Sequence, residues 1–389
     1  MSNEELGKYI ADCLNAGLDA DAEQSSLTNS FRIIVDQNKG YFDFVPAFPG
    51  TFRVTKELSD NIQTILSGAL FPYATLLAYP STNLVDETIN TSSLHLARGL
   101  RFYFLLGGSK RVEIENLDSN LLTNDMKIRL QENTYVTPFN CPALAINGQS
   151  GSGKSVLANV LISGLLQYIS CQRWDWDFDF MSSNDPKINS LFDGKLLNII
   201  DPKLDLTTYH YAEKHSSQIN YFSLNDEVSN SEFLNTINSK EADFLKIMHF
   251  RQIQRLKNPR LRFAPLVLSI DELQFATSAV SRQTLNTFQS LTDRIILTAR
   301  SSSGFLMLQS QSMPIPGSIS TASRDGLTYK IILGRGNNVS KQDTRFLLKD
   351  FDLNTVALNP DGYAFGNGLF QDAVGLVRSF KTPLVRRLI

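Results

Sequence analysis

At 389 residues the chain is long enough for two or three domains that each bury a core of their own. Its 37 basic and 39 acidic side chains leave a formal net charge of -2, so a polyanionic partner has to be met by a local patch, not by overall attraction. The widely separated Cys13, Cys141 and Cys171 and four scattered histidines show no zinc spacing and fit a reducing, cytoplasmic setting; no leader and no run of ~18 apolar residues is visible, which predicts a soluble chain with no intrinsic membrane span.

Residues 3–16 carry Leu6, Ile10 and Leu14 at four-residue spacing with Ser2 placed to cap, the pattern of an amphipathic helix. The segments 31–35 and 41–45 flank Asn38-Lys39-Gly40 and predict a hairpin. A helix is expected over 58–70 and strands over 100–106, 128–130 and 135–136. This region, taken as a smaller mixed α+β domain over 1–137, carries no catalytic motif. Its aromatics alternate with polar residues, which fits half-buried strands better than a base-stacking platform.

A second domain is expected over 138–389. Ala143-Leu144-Ala145-Ile146 reads as a short buried strand, and Gly148-Gln149-Ser150-Gly151-Ser152-Gly153-Lys154-Ser155 matches G-x-x-x-x-G-K-[ST] without departure. The chemistry explains the pattern. A phosphate chain needs backbone N–H groups pointing inward from a tight loop, which the glycines permit, and the helix expected over 156–168 offers the positive end of its dipole to the anion. Lys154 would reach the β and γ phosphates and Ser155 would ligate Mg²⁺, so ATP and Mg²⁺ are the implied cofactors.

An acidic, aromatic stretch from Arg173 to Asp179 leads into a polar segment and reads as an inserted loop near 173–194. A strand over 196–200 ends in Asp201-Pro202-Lys203, where polar residues of an open α/β sheet border the ligand crevice. The helix expected over 231–256 runs into the densest basic cluster, with Arg255, Lys257 and Arg260 suited either to a solvated face or to phosphate-backbone binding. Leu266 to Ile270 is an apolar strand ending in Asp271-Glu272. Those carboxylates are what metal-assisted phosphoanhydride hydrolysis needs, Asp271 for the metal and Glu272 to polarise the attacking water.

A helix is expected over 287–298, broken by Ala299-Arg300-Ser301-Ser302-Ser303-Gly304. The strand 305–308 then ends in Gln309-Ser310-Gln311, where Gln311 suits either the sensing of a γ-phosphate or simple capping of the strand. A strand over 329–333, a helix over 341–348 and short β segments over 362–380 follow. Strands ending in the phosphate loop, the carboxylate pair and Gln311 predict an α/β fold: a RecA-like P-loop NTPase core on a mainly parallel sheet.

The order of the motifs resembles the FtsK/SpoIIIE branch of the FtsK–HerA DNA translocases. The resemblance rests on the phosphate loop at 148–155, Ile-Asp-Pro-Lys at 200–203, Ile-Asp-Glu at 270–272, Ala-Arg-Ser-Ser-Ser-Gly at 299–304 and Gln311 before Pro314, and covers residues 138–380. It implies an ATPase that assembles as a homo-oligomeric, hexameric ring and pumps double-stranded DNA, with relatives that serve conjugation as coupling proteins beside a membrane-protein or relaxase-type partner. It also implies that Arg300 reaches the neighbouring subunit's nucleotide; the sequence equally accommodates a surface ion pair there. Ser312 and Met313 ahead of Pro314, and an additional serine before Gly304, depart from the family's pattern.

Overall fold

A computed structural model describes residues 1–19, 30–47, 55–79, 82–86, 98–107, 110–139, 141–171, 188, 190–223, 229–314, 317–335, 338–349, 351–356, 358 and 365–388. The chain forms two compact units. One comprises Met1–Lys110, Asp350–Asn359 and Phe370–Ser379, the other Arg111–Lys349, Pro360–Leu369 and Phe380–Ile389. Most of the predicted inserted loop lies outside the described residues.

In the first unit, α1 (Asn3–Asp19) and α2 (Lys56–Ala69) lie on a sheet of β1 (Phe31–Asp36), β2 (Tyr41–Pro46), β3 (Ala74–Leu77), β4 (Leu84–Asp86) and β5 (Arg98–Leu106). The strand order is β1-β2-β5-β3, with β4 also on β5, all antiparallel. The expected cap is present: Ser2 Oγ accepts from the Glu5 amide while Glu5 accepts from the Ser2 amide. Four-residue spacing delivers Leu6, Ile10, Leu14 and Leu18 to one buried face, which meets Phe42, Phe44, Phe102 and Phe104 from alternate positions of β2 and β5. Those aromatics are core, with the Phe42 and Phe102 rings stacked 5.0 Å apart.

The second unit contains β6 (Glu113–Asn116), the β7 (Ile128–Gln131) and β8 (Thr134–Val136) pair, β9 (Ala143–Gly148), α3 (Lys154–Ser170), β10 (Leu197–Asp201), α4 (Leu206–Lys214), β11 (Ile219–Ser223), α5 (Asn230–Lys257), β12 (Leu266–Ile270), α6 (Leu273–Thr277), α7 (Arg282–Ser302), β13 (Gly304–Ser310), α8 (Thr321–Gly326), β14 (Tyr329–Gly334) and α9 (Lys341–Leu348). Short strands β15 (Asn367–Gln371), β16 (Val377–Lys381) and β17 (Leu384–Arg387) follow in the chain, most of β16 being residues of the first unit. Within this unit the large sheet has the order β11-β10-β12-β13-β9-β14-β15. From β11 to β14 every neighbouring pair is parallel. Within it the phosphate-loop strand β9 is separated from the Asp-Glu strand β12 by β13 alone, in the order β14-β9-β13-β12-β10. The fold is a RecA-like P-loop NTPase core.

Burial explains why these strands read as largely apolar runs: β9, β12, β13 and β14 are covered on both faces along their whole length. One boundary departs from expectation. α7 starts five residues earlier than its apolar periodicity suggests, because Ser281 caps it by accepting from the Thr284 amide, and it continues through Ala299 and Arg300 to Ser302. The helix stops where Ser303 turns left-handed at φ 56°.

Candidate functional site

All six strands from β9 to β14 point the same way, so their carboxyl ends line one edge of the sheet, where side chains far apart in sequence converge. Lys154 opens α3 and is nearly buried; its Nζ lies 2.6 Å from Asp271 Oδ1 and 3.2 Å from Glu272 Oε1. Glu272 Oε1 is also 2.9 Å from Lys203 Nζ, and Gln311 Nε2 donates to both carboxylate oxygens at 3.4 Å. The strand ends of β9, β10, β12 and β13 thus contribute one charged cluster.

Local geometry fixes each member. Glu272 sits at φ 47°, ψ 47°, a left-handed conformation unusual for a non-glycine residue, and it begins α6. That turn lets the Glu272 amide donate to Asp271 Oδ1 at 2.7 Å and aims the two carboxylates at the same lysine. Asp201, buried at the end of β10, accepts from the Lys203 and Asp205 amides and from the Tyr221 hydroxyl at 2.7 Å. The Asp201 turn is what presents Lys203 to Glu272, a role that the sequence signals only through Asp-Pro-Lys.

Electrostatics follow from burial and pairing. Burial works against the Lys154 charge, but Asp271 and Glu272 together outweigh it and hold the ammonium above its ordinary value. Burial would raise Glu272; Lys154, Lys203 and Gln311 overcome it and keep the carboxyl below the usual range. Desolvation is the main influence on Asp271 and lifts it, opposed by Lys154.

The residues fit a nucleotide and its magnesium. Gly151 and Gly153 take φ of 78° and 90°, closing a loop whose outer residues Gln149 to Gly151 are exposed. The first-turn N–H groups of α3 have no intrahelical acceptors. Beneath the loop, Ser152 Oγ is buried without a hydrogen-bond partner. Among the described residues no group of three or more His, Cys, Asp or Glu side chains could hold a metal. Ser155 and Asp271 with phosphate oxygens and water would suit Mg²⁺, which keeps several waters and takes few protein ligands.

The two residues that depart from the family's pattern after Gln311 have partners here. Ser312 Oγ donates to Asp343 Oδ1 in the first turn of α9 at 2.8 Å, and Met313 is fully buried.

Other predicted residues lie elsewhere. Arg300 is exposed in the last turn of α7, at the end of the sheet where β13 begins. The seven residues of β13, ~23 Å at ~3.3 Å per residue, run from that end to Gln311. Arg255 is at the same end, and its guanidinium donates to the carbonyls of Leu261 and Ser301 and, at 3.0 Å, to Ser303 Oγ. Lys257 and Arg260 are exposed beside it.

No protein-family model matches the sequence, and no curated protein matches it. Among solved structures, the chain is similar to the pCW3 conjugation coupling protein TcpA in monomer form with ATPgS, at 14% identity and a TM-score of 0.47 over 98% of this chain and 96% of that one. It is also similar to ATPases 2 and 3 of EssC from Geobacillus thermodenitrificans, at 11% identity and TM-score 0.45 over 71% of this chain and 47% of that one. A third similarity is to the cytoplasmic domain of the type VII secretion ATPase EccC of Thermomonospora curvata, at 18% identity and TM-score 0.33 over 62% and 25%. Among the described residues no helix is long and apolar enough to cross a membrane.

Proposed function

We propose that the chain is an ATP-hydrolysing motor that translocates double-stranded DNA as a hexameric ring in the cytoplasm. The observation that carries the ATPase reading is the cluster of Lys154, Asp271, Glu272 and Gln311 at the carboxyl edge of the parallel sheet. In the free site Lys154 is held by two carboxylates; a triphosphate entering the loop supplies the competing negative charge and draws the ammonium to the β and γ phosphates. Glu272, released from that contact but still steered by Lys203, orients and polarises the attacking water. Gln311, bonded to Glu272, sits where it can register the γ-phosphate. Mg²⁺, held by Ser155 and Asp271, would supply charge neutralisation at the phosphates. The loop residues Gly148 to Ser155 bind the phosphate chain through backbone N–H groups.

The DNA part of the proposal is supported by the motif resemblance and by the exposed Lys257 and Arg260; Arg255 contributes beside them, with its guanidinium also engaged on protein carbonyls. Arg300, exposed and far from the loop of its own chain, is assigned to act on the nucleotide of a neighbouring subunit.

Steady-state ATP hydrolysis with and without duplex DNA over a salt series, combined with particle imaging, tests this reading. Turnover stimulated by duplex DNA, weakening as salt rises, together with six-membered rings, is the expected outcome. Hydrolysis indifferent to DNA but stimulated by a protein substrate would assign the motor to protein cargo. Nucleotide binding with negligible turnover would reduce it to a nucleotide-dependent scaffold.

A further inference from the structure

A phosphate loop binds anions only if its N–H groups face inward, so its carbonyls must face out and find donors there. The peptide joining Ser152 to Gly153 is the vulnerable one, because its plane turns on ψ of Ser152 and φ of Gly153, and Gly153, a glycine at φ 90°, sets little barrier to that rotation. In this chain a donor from far along the sequence holds it: the Gly366 amide donates to Ser152 O at 2.7 Å. A trans peptide is planar, with its N–H antiparallel to its C=O. Tying the Ser152 carbonyl outward therefore turns the Gly153 N–H toward the cradle.

The strap that carries Gly366 is itself stapled. Thr382 N donates to Gly366 O at 2.7 Å. The Arg111 guanidinium donates to Thr382 O at 2.7 Å, to Phe365 O at 3.1 Å and to Asn367 Oδ1 at 3.3 Å, crossing both sides of the strap at once. Space is fully used. Gly366 has φ 77°, and a Cβ there would stand 2.8 Å from Arg111 Nη1 and 2.9 Å from Thr382 Cβ. On the other side, a Cβ at Gly153 would stand 3.2 Å from Gly366 Cα.

We propose that Arg111, acting through the Phe365–Gly366–Asn367 strap, is a positioning residue for nucleotide binding: it holds the Gly366 amide on Ser152 O and so fixes the phosphate loop in its anion-binding form. The inference rests on the nucleotide-site reading above. A guanidinium suits the role because its planar fork serves three acceptors, where an ammonium is a point charge.

The test is equilibrium binding of a fluorescent ADP analogue to the full chain and to Arg111→Ala, Arg111→Lys and Lys154→Ala, with melting temperatures measured alongside. Arg111→Ala is expected to bind roughly tenfold more weakly at temperatures well below its melting point, with Arg111→Lys in between. A merely structural role would lower the melting temperature and leave that affinity alone; wild-type affinity in a folded Arg111→Ala therefore overturns the proposal while leaving the ATPase reading intact. Absence of binding by the wild type overturns both. If Arg111→Ala does not fold, amide exchange of the unaltered chain decides. The Gly366 amide should be protected without nucleotide and more so with ADP, and exchange at an exposed-loop rate in both states would overturn the strap.

Discussion

Lys330, near the start of β14, is a buried ammonium. It lies on β14 with 8% of its surface exposed, and burial, only partly opposed by Asp325, pushes its ammonium down to about 8. The unfolded chain keeps the proton up to its higher, ordinary lysine value, so between pH 8 and about 10.4 it binds more protons than the folded chain, and stability should rise with pH across that window. At pH 7 both states are protonated and the folded state carries the whole penalty. Lys330→Met is therefore expected to stabilise the protein by about 1–3 kcal/mol at pH 7 in denaturant melts and to flatten the rise above pH 8. A destabilised Lys330→Met with an unchanged pH profile would mean that the ammonium is favourably paired. Lys203 owes its place to its surroundings. Its contact with Glu272 depends on Asp201 bonding two backbone amides and on the left-handed Leu204 at φ 57°, three-dimensional conditions that the letters Asp-Pro-Lys do not spell out.

Among the elements, those at the centre of the parallel sheet were the most legible. β9, β12 and β13 are buried on both faces and so appear as mostly apolar runs, and each ends in the residues that make the site. The edge strand β11 mixes Asn220 and Ser223 with apolar residues and left no such run; α6, at five residues, is too short to show a helical repeat. The strap on the phosphate loop had no local signal, since its donor and acceptors come from positions more than 250 apart. The end of α5 carries a prediction of its own. Arg255 ties the α5 terminus to the last residues of α7, so Arg255→Ala should lower stability by about 1–3 kcal/mol in a thermal melt. Lys257 and Arg260 are exposed, and neutralising them together should leave the melt within about 0.5 kcal/mol of wild type while reducing the salt slope of duplex binding by up to about two units. A salt slope equal to wild type would assign the pair to a solvated face.

The role proposed for Arg300 requires more than one chain. β13 puts ~23 Å between the sheet end that bears it and the Gln311 edge of its own site, so an arginine there can meet a γ-phosphate only in a neighbour. Arginine suits the task because it stays ionised and offers a planar fork of donors to the charge that spreads over the phosphate oxygens. Arg300→Ala should leave ATP binding by isolated subunits intact and cut turnover of the assembled ring by roughly 10³-fold. Rings mixed from Arg300→Ala and Glu272→Gln subunits should recover activity only where an intact Glu272 faces an intact Arg300. Activity that merely tracks the wild-type fraction, with no complementation between the two mutants, would place Arg300 outside the reaction.

Whether Lys154, Asp271 and Glu272 form an ATP-hydrolysing phosphate-loop site is decided by ATP affinity and single-turnover hydrolysis in Glu272→Gln beside the wild type. The amide preserves the side chain's volume and leaves Asp271 to the metal, but cannot polarise water. ATP affinity within a few-fold of wild type, with hydrolysis slowed by roughly 10²-fold or more, is the predicted result. Hydrolysis at the wild-type rate would place the base elsewhere and remove Glu272 from the reaction.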